Sequence, residues 1–318
     1  MPKSNYKTDV RRAQALPASK ADWPIGVFDS GIGGLTVVRA LRQALPHEDI
    51  IYLGDTARVP YGTKSAETIV RFSCEDAEFL RQHQVKAIIV GCSTVSAWAP
   101  EALAKNFNLP TFGVILPGVR AALEVTRNQR IGIIATSATI RSMAYCKAIL
   151  SRCETAQVFA AACPLLVPLV EEGWFKHRAT PIILQDYLEP LLRKKIDTLI
   201  LACTHFPLLK PAIRNVVGDE IQLVDCADTC AAFTHERLEC LELLCQNRTR
   251  PGTLHLFVTD EAERFTKLAR RFLGEETEGA TQVVLPPFEA TGQEDSTITQ
   301  DGVGLELKPV PSPDAFGK

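Results

Sequence analysis

No apolar run in this 318-residue chain is long enough to cross a membrane, which argues against an integral membrane protein. No block of basic residues stands out. Lys and Arg number 35 against 37 Asp and Glu, for a net charge of −2, so nothing points to nucleic acid as a partner. The residues before Trp23 include Lys3, Lys7, Arg11, Arg12 and Lys20, but no apolar stretch follows them, so they do not form a secretory signal. Residues 1–23 are expected to be a flexible leader and the protein to be cytoplasmic. Without an export signal, the ten cysteines do not read as a disulfide framework. Most are expected to be buried small hydrophobes. What is present is ordinary: 46% hydrophobic and 23% charged residues, with room for two domains and a real core.

Short apolar runs at 25–28, 50–54, 87–91, 111–114, 131–135, 198–202, 222–224 and 254–258 read as strands. Amphipathic segments at 35–45, 65–82, 96–106, 165–172, 181–192, 207–217 and 261–272 read as helices. This alternation predicts an α/β fold with mainly parallel sheets, in which ligands collect at the carboxyl ends of strands. Four strand exits carry unusual residues: Asp29 to Gly34, Gly54 to Gly62, Cys92 and Cys203. That pattern predicts one site between two halves of the molecule. After about residue 285 the chain turns rich in Pro, Gly, Asp and Glu, and 286–318 is expected to be a flexible tail.

Two segments read almost alike. Val85 to Thr94 and Ile196 to His205 are each an apolar run, a small residue, a cysteine and then hydroxyl residues. A thiol placed where a helix begins faces unpaired N–H groups and the positive end of the helix dipole. That predicts a pKa lowered from about 8.5 toward neutrality. A phosphatase would need Arg six residues after the cysteine, where Trp98 and Leu209 stand. A cysteine hydrolase leaves one thiol unexplained. Acid–base chemistry with one thiol on each face of a substrate accounts for both.

Gly31 and Gly33 begin a dinucleotide fingerprint, with Asp55 where a ribose ligand would sit, but Thr36 replaces its third glycine. A nicotinamide-dependent oxidoreductase is therefore the rival reading. Asp29 is preferred as a carboxylate near one thiol, with Ser30 helping to bind substrate. His205, two residues after Cys203, suits proton handling. Cys226, Cys230, His235, Cys240 and Cys245 lack a Cys-x-x-Cys pair and read as helix thiols rather than a zinc site, so no metal is expected.

Taken in order, these residues resemble the glutamate racemases of the aspartate/glutamate racemase superfamily. The likeness runs through 25–35, 54–62, 91–97, 167–173, 202–209 and 258–260, and covers about 24–275. It implies two similar α/β domains with the active site in the cleft between them. The first would be 24–115 with 226–285, and the second 116–225. It implies cofactor-independent interconversion of L- and D-glutamate for peptidoglycan, and a homodimer. By matching positions, Cys92 and Cys203 would be the acid/bases, Asp29 would assist the first, and Glu171 and His205 the second. Ser30, Tyr61, Gly62, Ser93, Thr94 and Thr204 would bind substrate, with Thr136 and Thr139 as further candidates. The sequence departs from the family at Ser93, where Asn is usual, and at Phe206, where Tyr is usual. The alternatives kept are a racemase of another amino acid such as aspartate, the nicotinamide enzyme, and a non-catalytic amino-acid binder.

Overall fold

Residues 19–285, 287 and 288 are described in a computed structural model. Most of the expected leader (1–18) and tail (286 and 289–318) lies outside the described residues. Residues 19–23 are placed. Ser19 caps a short 3₁₀ turn at Lys20–Asp22, and Ala21 is buried.

The chain alternates as the apolar runs require. β1 (Ile25–Asp29) leads to α1 (Leu35–Ala44), β2 (Ile50–Gly54) to α2 (Ala66–Gln82), and β3 (Ala87–Val90) to α3 (Ser93–Trp98) and α4 (Pro100–Asn106). Next come β4 (Thr111–Gly113) and α5 (Ile115–Val125), then β5 (Arg130–Ala135), α6 (Ser137–Ser142) and α7 (Ala144–Leu150). β6 (Gln157–Ala162), α8 (Leu166–Glu171), α9 (Ala179–Leu192), β7 (Thr198–Ala202), α10 (Lys210–Val217) and β8 (Gln222–Asp225) follow. α11 (Cys226–Cys240), β9 (Leu254–Val258), α12 (Ala262–Leu273) and β10 (Thr281–Gln282) complete the described chain.

The strands form two sheets with parallel pairings throughout, in the orders β10-β9-β2-β1-β3-β4 and β6-β5-β7-β8. β1, β2 and β7 are buried at every position, because helices cover both faces. Successive side chains of β1 serve different cores. Ile25 and Val27 join the larger cluster, which also holds Ile133 and Leu199 of the second sheet, whereas Phe28 joins the smaller one under α2 and α4. Each fully buried Ile or Leu contributes about 1.5–3 kcal/mol relative to exposure. α1 buries Leu35, Val37, Val38 and Leu41 on one stripe.

Register decides where the site is. Asp29 pairs with Gly54, and Phe28 with Val90, so the chain leaves β1, β2 and β3 along one edge. In the second sheet Ala135 pairs with Ala202, which brings Thr136 and Cys203 out together. The opposite end of the first sheet is closed by a buried ion pair between Lys86 and Glu48, whose side chains are 0% and 3% exposed. Glu48 also accepts from the Cys245 amide at 2.8 Å.

Some elements differ from the sequence expectation. The helix expected at 96–106 is two helices, because Pro100 lacks an N–H and disfavours helical backbone at Ala99, whose ψ is −3°. The helix expected at 207–217 begins as a 3₁₀ turn, Phe206–Leu209, before α10. β6 was not expected. It is an edge strand with no fully buried residue, so it lacks the apolar run that marks its neighbours. Among the described residues no helix is long and apolar enough to cross a membrane.

Candidate active site

The edges of the two sheets enclose a cavity of about 370 Å³. Its lining includes Asp29, Ser30, Tyr61, Gly62, Cys92, Ser93, Thr94, Thr136, Glu171, Cys203, Thr204 and His205. These come from separate stretches of the chain, and nearly every expected site residue is among them. The remaining one, Thr139, stands just behind the wall. Its hydroxyl lies 3.3 Å from that of Thr94 and 3.1 Å from that of Thr136, and Thr94 and Thr136 are 3.1 Å apart. This triangle of hydroxyls joins the first sheet's α3 to the second sheet's α6.

Cys92 follows β3 and stands at the N-cap of α3. Its thiol donates to Ser30 Oγ at 3.5 Å. Asp29 ends β1 with its Oδ2 accepting from the Gly31 amide at 3.0 Å. Its Oδ1 is buried and unpartnered among the described residues, as is Ser93 Oγ. Both atoms belong to residues that line the cavity, and an unpaired buried polar atom is costly unless a ligand or water meets it.

Cys203 follows β7. Its Sγ lies 3.9 Å from His205 Nδ1, and His205 Nε2 lies 2.9 Å from Glu171 Oε1 at the end of α8. A carboxylate on one ring nitrogen orients the other toward the thiol. Burial is the largest influence on the Glu171 carboxyl and raises it, but the hydrogen bond to His205 and the charges of His205 and Arg264 together outweigh it and hold it below its ordinary value. Phe272 of α12 packs edge-on against the imidazole, with centroids 5.5 Å apart.

The expected lowering of the two thiol pKa values is overturned. Burial pushes Cys92 up to about 12, and the neighbouring Asp29 charge adds to it. Burial also drives Cys203 upward, past the range of ordinary thiols. Desolvation of a thiolate outweighs a few helix-terminal amides here, and at Cys203 the helix that begins nearby is only a 3₁₀ turn. Burial thus favours the thiol form of both residues.

Tyr61 lines the wall, but its hydroxyl turns away to the carboxylates of Asp55 and Asp76. Asp55 is wholly buried and also takes bonds from Arg58 and Thr259, so it has no free oxygen facing a ribose. Cys226 and Cys230 lie buried in α11, and Cys226 Sγ is 3.1 Å from the Tyr145 hydroxyl. Among the described residues no group of three His, Cys, Asp or Glu side chains is placed to hold a metal.

The family model described as Asp/Glu/Hydantoin racemase matches residues 26–234. The chain belongs to the Asp/Glu/hydantoin racemase family. Among similar proteins is a glutamate racemase from Geobacter metallireducens, 48% identical over 261 residues, which are 82% of this chain and 96% of that protein. A solved glutamate racemase from Bacillus anthracis superposes with a TM-score of 0.80 at 37% identity, covering 83% of this chain and 98% of that one. One from Francisella tularensis, solved with D-glutamate, gives 0.78 at 37% identity, covering 84% and 100%.

Within this racemase site three residues escaped the sequence reading. Thr36 Oγ1 donates to the Thr204 carbonyl at 2.8 Å and so holds the Cys203 turn from α1. The Tyr52 hydroxyl donates to the Gly31 carbonyl at 2.9 Å and steadies the turn after Asp29. Arg58, next to the 59–63 loop, is paired with Asp55 and Asp76. Thr36 left a signal as the residue that breaks the glycine fingerprint, Arg58 only as a member of the 54–62 stretch, and Tyr52 none.

Proposed function

We propose that this racemase interconverts L- and D-glutamate by moving the α-proton between Cys92 and Cys203 without a cofactor, and that it supplies D-glutamate for peptidoglycan. One observation carries the reading. Two buried thiols from different sheets face one small cavity, Cys92 bonded to Ser30 and beside Asp29, and Cys203 beside His205. The cavity is of a size suited to a small metabolite.

The lining supports an amino acid with two carboxylates in an unusual way. No Lys or Arg is among the lining residues described. The two carboxylates would be held by neutral donors: the hydroxyls of Ser30, Ser93, Thr94, Thr136 and Thr204 and nearby main-chain N–H groups. The ammonium would face Asp29 and Glu171. Fixed neutral dipoles aimed at the α-carboxylate stabilise the charge that develops there when the α-proton leaves. They do so without neutralising it in the ground state.

The proton balance follows from the two thiols. The substrate ammonium favours the thiolate form of the cysteine it approaches, against the burial that keeps both protonated. One cysteine, relieved of its proton by Asp29 or by His205 backed by Glu171, takes the α-proton from one face. The opposite thiol delivers its proton to the other face and inverts the centre. The two cysteines end the turnover with their protonation states exchanged, as acid/base pairs held apart by environment do.

Circular dichroism of pure L- and D-glutamate, without added cofactor and with aspartate as control, tests the reading. Decay of both enantiomers to the racemate supports it. Faster decay of aspartate would reassign the substrate. Binding without decay would make the protein an amino-acid binder. A requirement for external D-glutamate in cells lacking the protein would support the cell-wall role.

A further inference from the structure

Beneath the 59–63 wall lies a charged cluster outside the cavity lining. Arg58 Nε donates to Asp55 Oδ2 at 2.6 Å, Nη2 to Asp76 Oδ1 at 3.1 Å, and Nη1 to Glu75. The guanidinium also lies 4.0 Å over the Phe72 ring, which packs against Tyr61. Three carboxyl groups thus surround one cation, and the side chains of Asp55 and Asp76 are 0% exposed. Two uncompensated buried negative charges would be very costly.

The hydrogen bonds count the protons. The Tyr61 hydroxyl donates to Asp55 Oδ2 and also lies 3.2 Å from Asp76 Oδ2. A phenol has one proton and cannot donate to both. If Asp76 carries a proton on Oδ2, it donates to the phenol oxygen, the phenol donates to Asp55, and every contact is satisfied. The titratable groups facing Asp76 are Asp55, Arg58, Tyr61 and Glu75, with Cys74 on its own helix and Tyr52 on β2. Burial first, then the Asp55 charge, favours the protonated form.

We propose that a protonated Asp76 and Arg58 act together as positioning residues for the reaction, fixing Tyr61 and with it the 59–63 wall of the cavity. This rests on the racemase reading above. The wall also meets the other sheet, since a Cβ on Gly62 would lie 3.4 Å from Thr136 Cβ. Displacing it loosens the substrate's fit while leaving Cys92 and Cys203, on other elements, in place. The effect therefore falls on KM more than on kcat.

The test compares Asp76→Asn, Asp55→Asn and Arg58→Gln in the full-length protein by glutamate kinetics, thermal melting and infrared difference spectroscopy. Asn is the isostere of a neutral Asp, so Asp76→Asn keeps KM and kcat within about twofold of the wild type and melts with it. Asp55→Asn and Arg58→Gln raise KM at least about tenfold with kcat within about threefold. The wild-type minus Asp76→Asn difference spectrum contains the carbonyl band of one protonated carboxylic acid. An Asp76→Asn protein that unfolds, that raises KM as Asp55→Asn does, or whose difference from the wild type lacks that band overturns the proposal. So does a folded Arg58→Gln protein with wild-type KM. Should Arg58→Gln not fold, the Asp76→Asn and infrared results decide. If the wild type does not racemise glutamate, the racemase reading fails, while melting and infrared still decide where the proton lies.

Discussion

The hydroxyl of Thr36 donates to the main-chain carbonyl of Thr204 across 2.8 Å, from the first turn of α1 to the turn that carries Cys203. The same hydroxyl lies 3.0 Å from the Gly33 carbonyl, so one buried side chain ties the turn after Asp29 to the opposite thiol. The distance between Cys92 and Cys203 is thus set partly by a residue that touches neither thiol.

Thr36→Val keeps the shape and removes the donor. Leaving the Thr204 carbonyl unpaired costs about 1–3 kcal/mol. Thermal melting should show a lower Tm, and kcat should fall by about tenfold as the Cys203 turn drifts. An unchanged kcat would show that the turn is held by other contacts.

Two glycines at the cleft should respond differently to alanine. A Cβ on Gly33 would stand 2.3 Å from Thr204 Oγ1 and 2.6 Å from the His205 ring, closer than atoms can pack. A Cβ on Gly62 would make an ordinary contact, 3.4 Å from Thr136. Gly33→Ala should lose on the order of a hundredfold or more in kcat, and Gly62→Ala less than about tenfold. Steady-state kinetics of the two variants checks the order, and equal losses would contradict it.

Glu171→Gln keeps a hydrogen-bond partner for His205 and removes its charge. Proton transfer through Cys203 should slow by on the order of 10–100-fold. The enantiomers are equal in energy, so kcat/KM must fall by the same factor from either side. The separate kcat and KM values need not, because Asp29 still serves Cys92. Initial rates from each enantiomer measure this, and wild-type values in both directions would remove Glu171 from the proton path.

Asp29 should trade stability for activity. Burial raises its carboxyl, against the influence of His205 and the amides of Gly34 and Gly31. The native state therefore binds a proton that the unfolded chain, titrating near 3.9, has released. Stability falls as pH rises through the window between the unfolded and native values, and the cost persists at neutral pH. Asp29→Asn should raise the Tm at pH 7 by on the order of a few degrees, lose that gain below about pH 4, and abolish most activity. A lower Tm at pH 7 would reverse the sign and refute the argument.

The strand exits that build this site were legible because helix-covered parallel strands must be apolar at nearly every position, as β1, β2 and β7 are. Their ends could be read where the apolar run stops, at Asp29, Cys92 and Cys203. β6 was not legible, because an edge strand with half-exposed alanines carries no such run. The thiols' titration was misread for a related reason. A helix terminus is visible in a sequence, but the depth at which tertiary packing buries Cys92 and Cys203 is not. The direction of the Tyr61 hydroxyl was hidden too: one partner, Asp55, lies in the same motif but was read as a ribose ligand, and the other, Asp76, lies on α2 outside it.

In the proposed mechanism Cys92 and Cys203 are opposed proton carriers across one substrate carbon. Solvent-deuterium exchange with Cys92→Ala and Cys203→Ala, each started from L- and from D-glutamate, tests it most directly. The wild type should place solvent deuterium at the α-carbon as it inverts. Each variant should still bind glutamate but fail to racemise it. Full racemisation with deuterium incorporation by either variant would contradict the two-thiol account.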